Sequence, residues 1–339
     1  MKSFTNRLNN KQPYIIAEIG MNHNGSYKKA IEIISAAKDA GVNAVKFQLH
    51  IAQEETLPSA PPPPYFKSED RFSYFKRTSF SLQQWKDLKN YSHSLGLHFI
   101  VSPFSIKAAN ILKIIGLDAY KVPSGEINNL PLLEYLKKTK IPIIISSGMS
   151  NWRDLDDAVK ILKNSLVVVM QCSSQYPCRA ESVGLNVIKE MKARYKNKII
   201  GFSDHTLKNH SSIAGLVLGA IVFEKHFTIS KKVYGPDARF SLEPNEMKDY
   251  VAGIDFINHA LSSPVDKDNL EKYKSLKKIF EKSIVAARDL SANHLLNEND
   301  LGYKKPGTGI KANQYQEVIG KRLKKSIKKD QMIRFNNLT

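Results

Sequence analysis

The chain has 339 residues, 42% of them hydrophobic, two cysteines and a formal charge of +19 at pH 7. That length suits one large domain plus a smaller one, and no apolar run approaches the length of a membrane span. The basic excess is mostly lysine spread along the chain, with no helix-turn-helix, RNP or zinc-finger pattern, so it reads as a field for small anions rather than a nucleic-acid surface.

Residues 1–12 are polar and carry no signal-peptide core, which predicts a cytoplasmic protein whose Cys172 and Cys178 stay reduced. From there short apolar runs alternate with amphipathic stretches. Strands are predicted at 14–20, 44–50, 98–104, 119–125, 142–148, 166–172, 198–204 and 220–227, with helices at 27–40, 82–95, 152–163 and 210–218. This repetition predicts an α/β fold, a (β/α)8 TIM barrel over residues 1–261. The rival, a doubly wound open sheet, lacks a G-x-G-x-x-G turn after any strand.

The connection from His50 to the helix at Leu82 is unusually long. Its proline run at 58–64 reads as a stiff spacer, and long βα loops in compact domains serve as functional lids. Residues 262–281 are polar and read as a linker with some helix, whereas 282–339 form a small β-rich domain with a strand at 283–287. So short a module has a thin core and is expected to lean on a partner surface.

Residues near the carboxyl ends of barrel strands face the active site, and residues two apart share a face. In chain order these ends offer Glu18 and Asn22-His23-Asn24; Lys46, Gln48 and His50; Ser102 and Ser105; and Lys121, Ser124 and Glu126. Next come Ser146 and Ser147; Ser174 and Tyr176; Ser203 and His205; Glu224 and His226; and then Asp237. A lone ammonium on a barrel strand is expensive to bury. Lys46 and Lys121, with serines nearby, suit a small, highly charged anion such as a phosphate ester; the alternative is pairing with Glu18 or Glu126. His205 and His226 end successive strands and suit a divalent metal with open positions, and the alternative is two hydrogen-bonded structural histidines. His23 is a third candidate ligand or a loop contact, and His50 is also a candidate.

Several motifs, in order along nearly the whole chain, carry a resemblance: Glu18-Ile19-Gly20-Met21-Asn22-His23-Asn24-Gly25, Val45-Lys46-Phe47-Gln48, Lys121-Val122-Pro123-Ser124-Gly125-Glu126, Ser147-Gly148-Met149, Phe202-Ser203-Asp204-His205-Thr206, Glu224-Lys225-His226 and Gly235-Pro236-Asp237. The chain resembles the bacterial sialic acid (N-acetylneuraminate) synthases and their legionaminic and pseudaminic acid relatives. Its tail, with Lys305-Pro306-Gly307-Thr308-Gly309, resembles their antifreeze-like SAF (β-clip) domain.

The resemblance implies condensation of phosphoenolpyruvate with an open-chain N-acetylated hexosamine, giving a nine-carbon 2-keto acid and phosphate. It implies a divalent metal on His205 and His226, Mn2+ foremost with Mg2+ or Co2+ as substitutes. It assigns Lys46, Lys121, Ser124, Ser146 and Ser203 to phosphoenolpyruvate, and Glu126 to the attacking water. Glu18, Gln48, Ser174, Tyr176, Asp237 and Lys305 fall on the sugar side. It also implies a domain-swapped homodimer in which the tail of one subunit caps the barrel of the other. Two departures fall on the sugar side: Lys305 where relatives often carry arginine, without the planar fork, and Ser174 where some carry asparagine.

Two other classes compete. A condensing enzyme for arabinose or erythrose phosphate would need further arginines at the strand ends, where none stand. A non-enzymatic basic barrel would bind nucleic acid or membrane in a salt-dependent way.

Overall fold

The computed structural model describes residues 3–61 and 69–339. Pro62, Pro63 and Pro64 of the predicted spacer lie outside the described residues. The chain divides into two compact units, Met1–Ser263 and Pro264–Thr339.

In the first unit, eight parallel strands close into a barrel in sequence order. They are β1 (Tyr14–Gly20), β2 (Ala44–Leu49), β3 (His98–Pro103), β4 (Ala119–Val122), β5 (Ile143–Ser146), β6 (Leu166–Cys172), β7 (Ile199–Ser203) and β8 (Val222–His226). Away from their carboxyl ends the strands are mostly apolar on both faces, because one face fills the barrel and the other meets the helices. Tyr14, Ile16, Ala44, Ile100, Ala119, Ile144, Val168, Met170 and Val222 form the interior core, while Ile15, Ala17, Val45, Phe99, Val101 and Val169 join the helix layer. Serine and asparagine caps start the helices: Ser26, Ser81, Ser105, Asn129 and Asn151 each accept a backbone N–H of the first turn.

The end of the barrel at which the strands begin is shut by a short helix, Phe4–Leu8, with Phe4 and Leu8 buried. Phe4 meets Tyr14 and His98 edge-on at 5.5 and 5.9 Å, and Tyr14 Oη lies 2.6 Å from His98 Nδ1. The other end is left open.

Two predicted strands run shorter, with consequences for the site. β4 stops at Val122 because Pro123 has no N–H to continue the ladder, and Ser124–Glu126 turn into a 3-10 helix. The alternation begun at Lys121 is lost there. β5 stops at Ser146, and Ser147 turns away to Gln171, whose Oε1 accepts its hydroxyl at 3.1 Å. In β1 the pairing slips between Glu18, opposite Lys46, and Gly20, opposite Phe47.

The second unit carries an antiparallel pair, β9 (Ser283–Ala286) and β10 (Leu301–Lys304), and a core that includes Ile284, Leu290, Leu296, Val318, Leu323, Ile327 and Ile333. Asp300, fully buried, ties this small unit together by accepting from Arg288 Nη2 at 2.7 Å and pairing with His294 Nε2 at 2.8 Å.

Removing the Phe4 ring should cost stability and leave the open end intact. Phe4→Ala is expected to lower the unfolding free energy by about 3 kcal/mol in urea melts. Turnover per folded molecule should be unchanged; an unchanged midpoint would contradict the packing role.

Candidate active site

A cavity of about 410 Å³ opens at the carboxyl ends of the strands. That is within the roughly 300–1,000 Å³ range of small-molecule sites. Its floor is a row of buried charges. Glu18 and Lys46 are register partners on β1 and β2, and their Oε2 and Nζ lie 2.9 Å apart. Lys46 Nζ also stands 3.7 Å from Glu224 Oε1 on β8, and Lys121 Nζ on β4 stands 3.5 Å from Glu224 Oε2. Gln48 donates to Glu18 Oε1 at 2.7 Å, and Ser203 donates to Glu224 Oε1 at 3.0 Å.

The lysines therefore pair with barrel carboxylates, but the second partner is Glu224, not Glu126. Burial pushes the Glu224 carboxyl up, yet Lys121 and Lys46 hold it down to about 2. Burial lowers Lys121 and Glu224 only partly offsets this, whereas Glu18 and Glu224 together raise Lys46 despite its burial. Lys121 is 2% exposed, and its ion pair with Glu224 is long, at 3.5 Å.

The same cavity holds a group of hydroxyls. Ser146 Oγ is buried with no hydrogen-bond partner among the described residues. Ser124 and Ser174 converge over Gly148, where an added Cβ would sit 2.5 and 2.3 Å from their hydroxyl oxygens, so glycine is required by close approach. Buried polar groups are normally satisfied. A bare buried hydroxyl and a loosely paired buried ammonium lining one cavity suit an oxyanion.

Across the cavity the two imidazole rings stand 5.5 Å apart. His205 Nδ1 donates to the Ser173 carbonyl at 2.6 Å, which turns Nε2 inward, 3.1 Å from Tyr176 Oη. Burial lowers His205 to about 4 and pushes His226 well below the usual range, so both rings are neutral. His226 Nδ1 is buried with no hydrogen-bond partner among the described residues. Two neutral imidazoles lining one cavity, one with a bare ring nitrogen, fit a divalent ion that keeps open positions. Among the described residues no group of three or more His, Cys, Asp and Glu could hold one metal, so the remaining positions would fall to substrate and water.

The other two candidate histidines stand differently: His50 lines the cavity and His23 does not. His23 lies outside the cavity lining; its Nδ1 accepts from the Gly25 N–H and its ring packs 4.5 Å from Phe80. His50 is clamped between Phe75 and Phe104 at 3.7 and 4.0 Å and bound to Glu55 at 2.6 Å. Its Nε2 lies 3.0 Å from Gln48 Oε1, so it props a cavity residue.

Glu126 is not in the lining; it accepts from Asn129 Nδ2 at 2.7 Å within the turn that Pro123 begins. Lys305 belongs to the tail unit, where its ammonium lies 5.0 Å over the Phe280 ring. Gln48, Ser174, Tyr176 and Asp237 all line the cavity.

The long loop, singled out by its length, lends the cavity residues that its pattern does not name. Glu69, Arg71, Tyr74 and Phe75 line the cavity from the helix Arg71–Arg77 and its approach, and Glu69 grips Arg77 through two 2.7 Å bonds. Arg77 in turn reaches Asn24 Oδ1 at 2.7 Å. The length of the loop was the available signal; which residues point inward was not readable.

The NeuB family model matches residues 33–266, and the SAF domain model matches residues 281–339. The chain is 34% identical over 334 residues to the N,N'-diacetyllegionaminic acid synthase of Campylobacter jejuni subsp. jejuni serotype O:2, covering 96% of this chain and 99% of that one. It is 33% identical over 322 residues to the N,N'-diacetyllegionaminic acid synthase of Legionella pneumophila subsp. pneumophila, covering 91% and 90%. The crystal structure of the N-acetylneuraminic acid synthetase of Leptospira borgpetersenii serovar Hardjo-bovis in complex with citrate is similar at a TM-score of 0.68 and 27% identity, covering 79% of this chain and 91% of that one.

Burial and the neighbouring Glu18 push Asp237 up to about 7, with Lys46 opposing. An aspartate in the unfolded chain titrates near about 4. Between these values the folded state holds the extra proton, so this group's contribution is full at the acid end and is lost as pH rises from about 4 to 7. Asp237→Asn should flatten that fall, by at most about 1.4 kcal/mol per pH unit. Urea melts of both proteins at about pH 5 and about pH 8 check this, and parallel pH profiles would overturn it.

Proposed function

The chain belongs to the NeuB family, and from that premise we propose that it condenses phosphoenolpyruvate with an open-chain N-acetylated hexosamine and water. The products are a nine-carbon 2-keto acid of the N-acetylneuraminate type and phosphate. The observation that carries this reading is one cavity with two unlike halves: Lys46, Lys121 and the bare Ser146 hydroxyl on one side, and the neutral His205–His226 pair on the other.

Lys46, Lys121, Ser124, Ser146 and Ser203 hold phosphoenolpyruvate. Its dianionic phosphate supplies the acceptor that the Ser146 hydroxyl lacks and a second anionic partner for Lys121, whose protonated state it reinforces. A divalent ion held by His205 and His226, Mn2+ foremost and Mg2+ or Co2+ as substitutes, supplies Lewis-acid polarisation of the sugar aldehyde.

The enol C3 bonds to the aldehyde carbon, and the aldehyde oxygen gains a proton. Water adds at C2 and loses a proton, and the C2–O bond to phosphate breaks. The hydroxyl left on C2 gives its proton to the departing phosphate and becomes the keto group. No net proton is consumed in the addition steps, so a group that both gives and takes a proton near neutral pH suffices. Asp237 Oδ2, beside Glu18 and Gln48 around Gly20, has that property. Glu126, outside the lining, is left the lesser role of holding water at the mouth. Gln48, Ser174 and Tyr176 orient the sugar.

A second reading keeps the reaction and changes the acceptor to a diacetamido trideoxyhexose, giving a legionaminic- or pseudaminic-type acid. Met21, Phe75, Phe104 and Met149 on the cavity wall favour it, since a deoxygenated sugar presents apolar edges. The full reading also has a homodimer in which the partner's tail brings its Lys305 to the acceptor. The linker helix Lys274–Phe280 supports this by leaving Leu276, Ile279 and Phe280 exposed. No helix among the described residues is long and apolar enough to cross a membrane, in keeping with a cytoplasmic enzyme acting on phosphoenolpyruvate.

Phosphate release from phosphoenolpyruvate, with mass detection of the acid, should occur only when an acceptor is present. The panel is N-acetylmannosamine and the two diacetamido trideoxyhexoses. No release with any of the three would overturn the reaction class. Lys121→Met is expected to lower kcat/KM for phosphoenolpyruvate about 100-fold, roughly 3 kcal/mol, because it removes a charged donor from the anion.

A further inference from the structure

His205 and His226 are each preceded by a charged residue, Asp204 and Lys225. Side chains alternate along a strand, so where the imidazoles point into the barrel, these two point out toward the helices. There they meet. Lys225 Nζ lies 3.1 Å from Asp204 Oδ2, with the side chains 1% and 0% exposed. The pair ties the end of β8 to the residue after β7, whose N–H also donates to the Glu224 carbonyl at 2.9 Å.

Nearly every remaining hydrogen-bonding site of the pair is spent on the loop that follows His205. Lys225 Nζ donates to the carbonyls of Thr206 at 2.5 Å and Lys208 at 3.1 Å. Asp204 Oδ1 accepts the Thr206 N–H at 2.8 Å, and Oδ2 accepts the Ser211 and Ser212 hydroxyls at 2.7 Å each. Tyr250, on the helix Pro244–Ser262, donates to Ser212 Oγ at 2.8 Å and braces the set from outside.

A buried ion pair is a poor device for stability alone, since apolar residues of similar size often serve as well. What an apolar pair cannot do is fix two backbone carbonyls, one backbone N–H and two hydroxyls in one arrangement. We propose that Asp204 and Lys225 are positioning residues that hold His205 and His226, from the opposite face of the same two strand ends, at the separation a divalent cation needs. This rests on the metal reading above. It predicts that the pair matters more for metal affinity than for folding or for phosphoenolpyruvate binding, which belongs to Lys46 and Lys121 across the cavity.

The test is Mn2+ titration of the full-length, metal-stripped protein followed by electron paramagnetic resonance, with thermal melts and calorimetric binding of phosphoenolpyruvate run alongside. The variants are Asp204→Asn, which keeps size and most hydrogen-bond geometry; the apolar pair Asp204→Leu with Lys225→Met; and His205→Ala as control. Expected are a Kd for Mn2+ raised about tenfold in Asp204→Asn and more in the apolar pair. Phosphoenolpyruvate affinity should stay within about twofold of wild type in both, and Mn2+ binding should vanish in the control. Folded variants that bind Mn2+ as wild type does would overturn the positioning role while leaving the metal reading standing. Equal weakening of Mn2+ and phosphoenolpyruvate binding would reduce the pair to general structural support and overturn it too. A wild-type protein that binds no Mn2+ would bring down the metal reading itself, and the inference with it.

Discussion

The row Glu18–Lys46–Glu224–Lys121 is the interaction on which the rest of the site depends. Four ionisable side chains, each no more than 6% exposed, meet inside a barrel whose lower half is apolar apart from the Tyr14–His98 hydrogen bond. Taking each from water costs several kcal/mol, and only alternation of sign makes the arrangement tolerable. Alternation in turn demands register. Glu18 faces Lys46 across β1 and β2, while Glu224 sits opposite Ile16, two residues deeper, and so reaches both lysines. A one-residue slip of any of these strands would turn a charge into the helix layer and strand its partners.

That row also sets a condition on any anion that enters. Two lysines against two carboxylates leave no surplus positive charge, so a dianion cannot be received by the floor alone. The deficit can be met by protons or by an added cation. Asp237 is pushed to about 7 and so can go neutral, burial moves Glu18 in the same direction against Lys46, and Glu224, held near 2, stays charged. The neutral imidazoles supply ligands for a cation without adding charge of their own. The two halves of the cavity are thus electrostatically complementary, and this is a stronger link between them than proximity.

The barrel was legible because its signal is local. Eight apolar runs set the strands, and two-residue periodicity placed Lys46, Gln48, Ser203, His205 and His226 correctly on inward faces. Periodicity failed where a strand ended early. Pro123 breaks β4, and beyond it Glu126 rotates onto Asn129 instead of continuing the face of Lys121. Ser147 is lost the same way at the end of β5. Glu224 was visible as a companion of His226, but its place between two lysines depends on strands far apart in sequence. His50 carried the right residue type at a strand end, and only the packing of Phe75 and Phe104 against it shows a prop rather than a ligand. In each case the missing information is tertiary.

The origin of the site residues separates what is rigid from what can vary. Lys46, Lys121, Ser146, Ser203, Glu224 and His226 stand on barrel strands, and His205 follows one directly, where hydrogen-bonded neighbours on both sides fix each backbone. Met149, Ser174, Tyr176, Asp237 and the residues of the Arg71–Arg77 helix stand on loops, where sequence can change without disturbing the barrel. The anion half and the imidazole half are therefore built into the frame, while the wall that would meet the far end of an acceptor is not. Relatives about one-third identical over nearly their whole length carry the names of synthases of different acids, and loops are where a site on a fixed barrel can vary without cost to the frame.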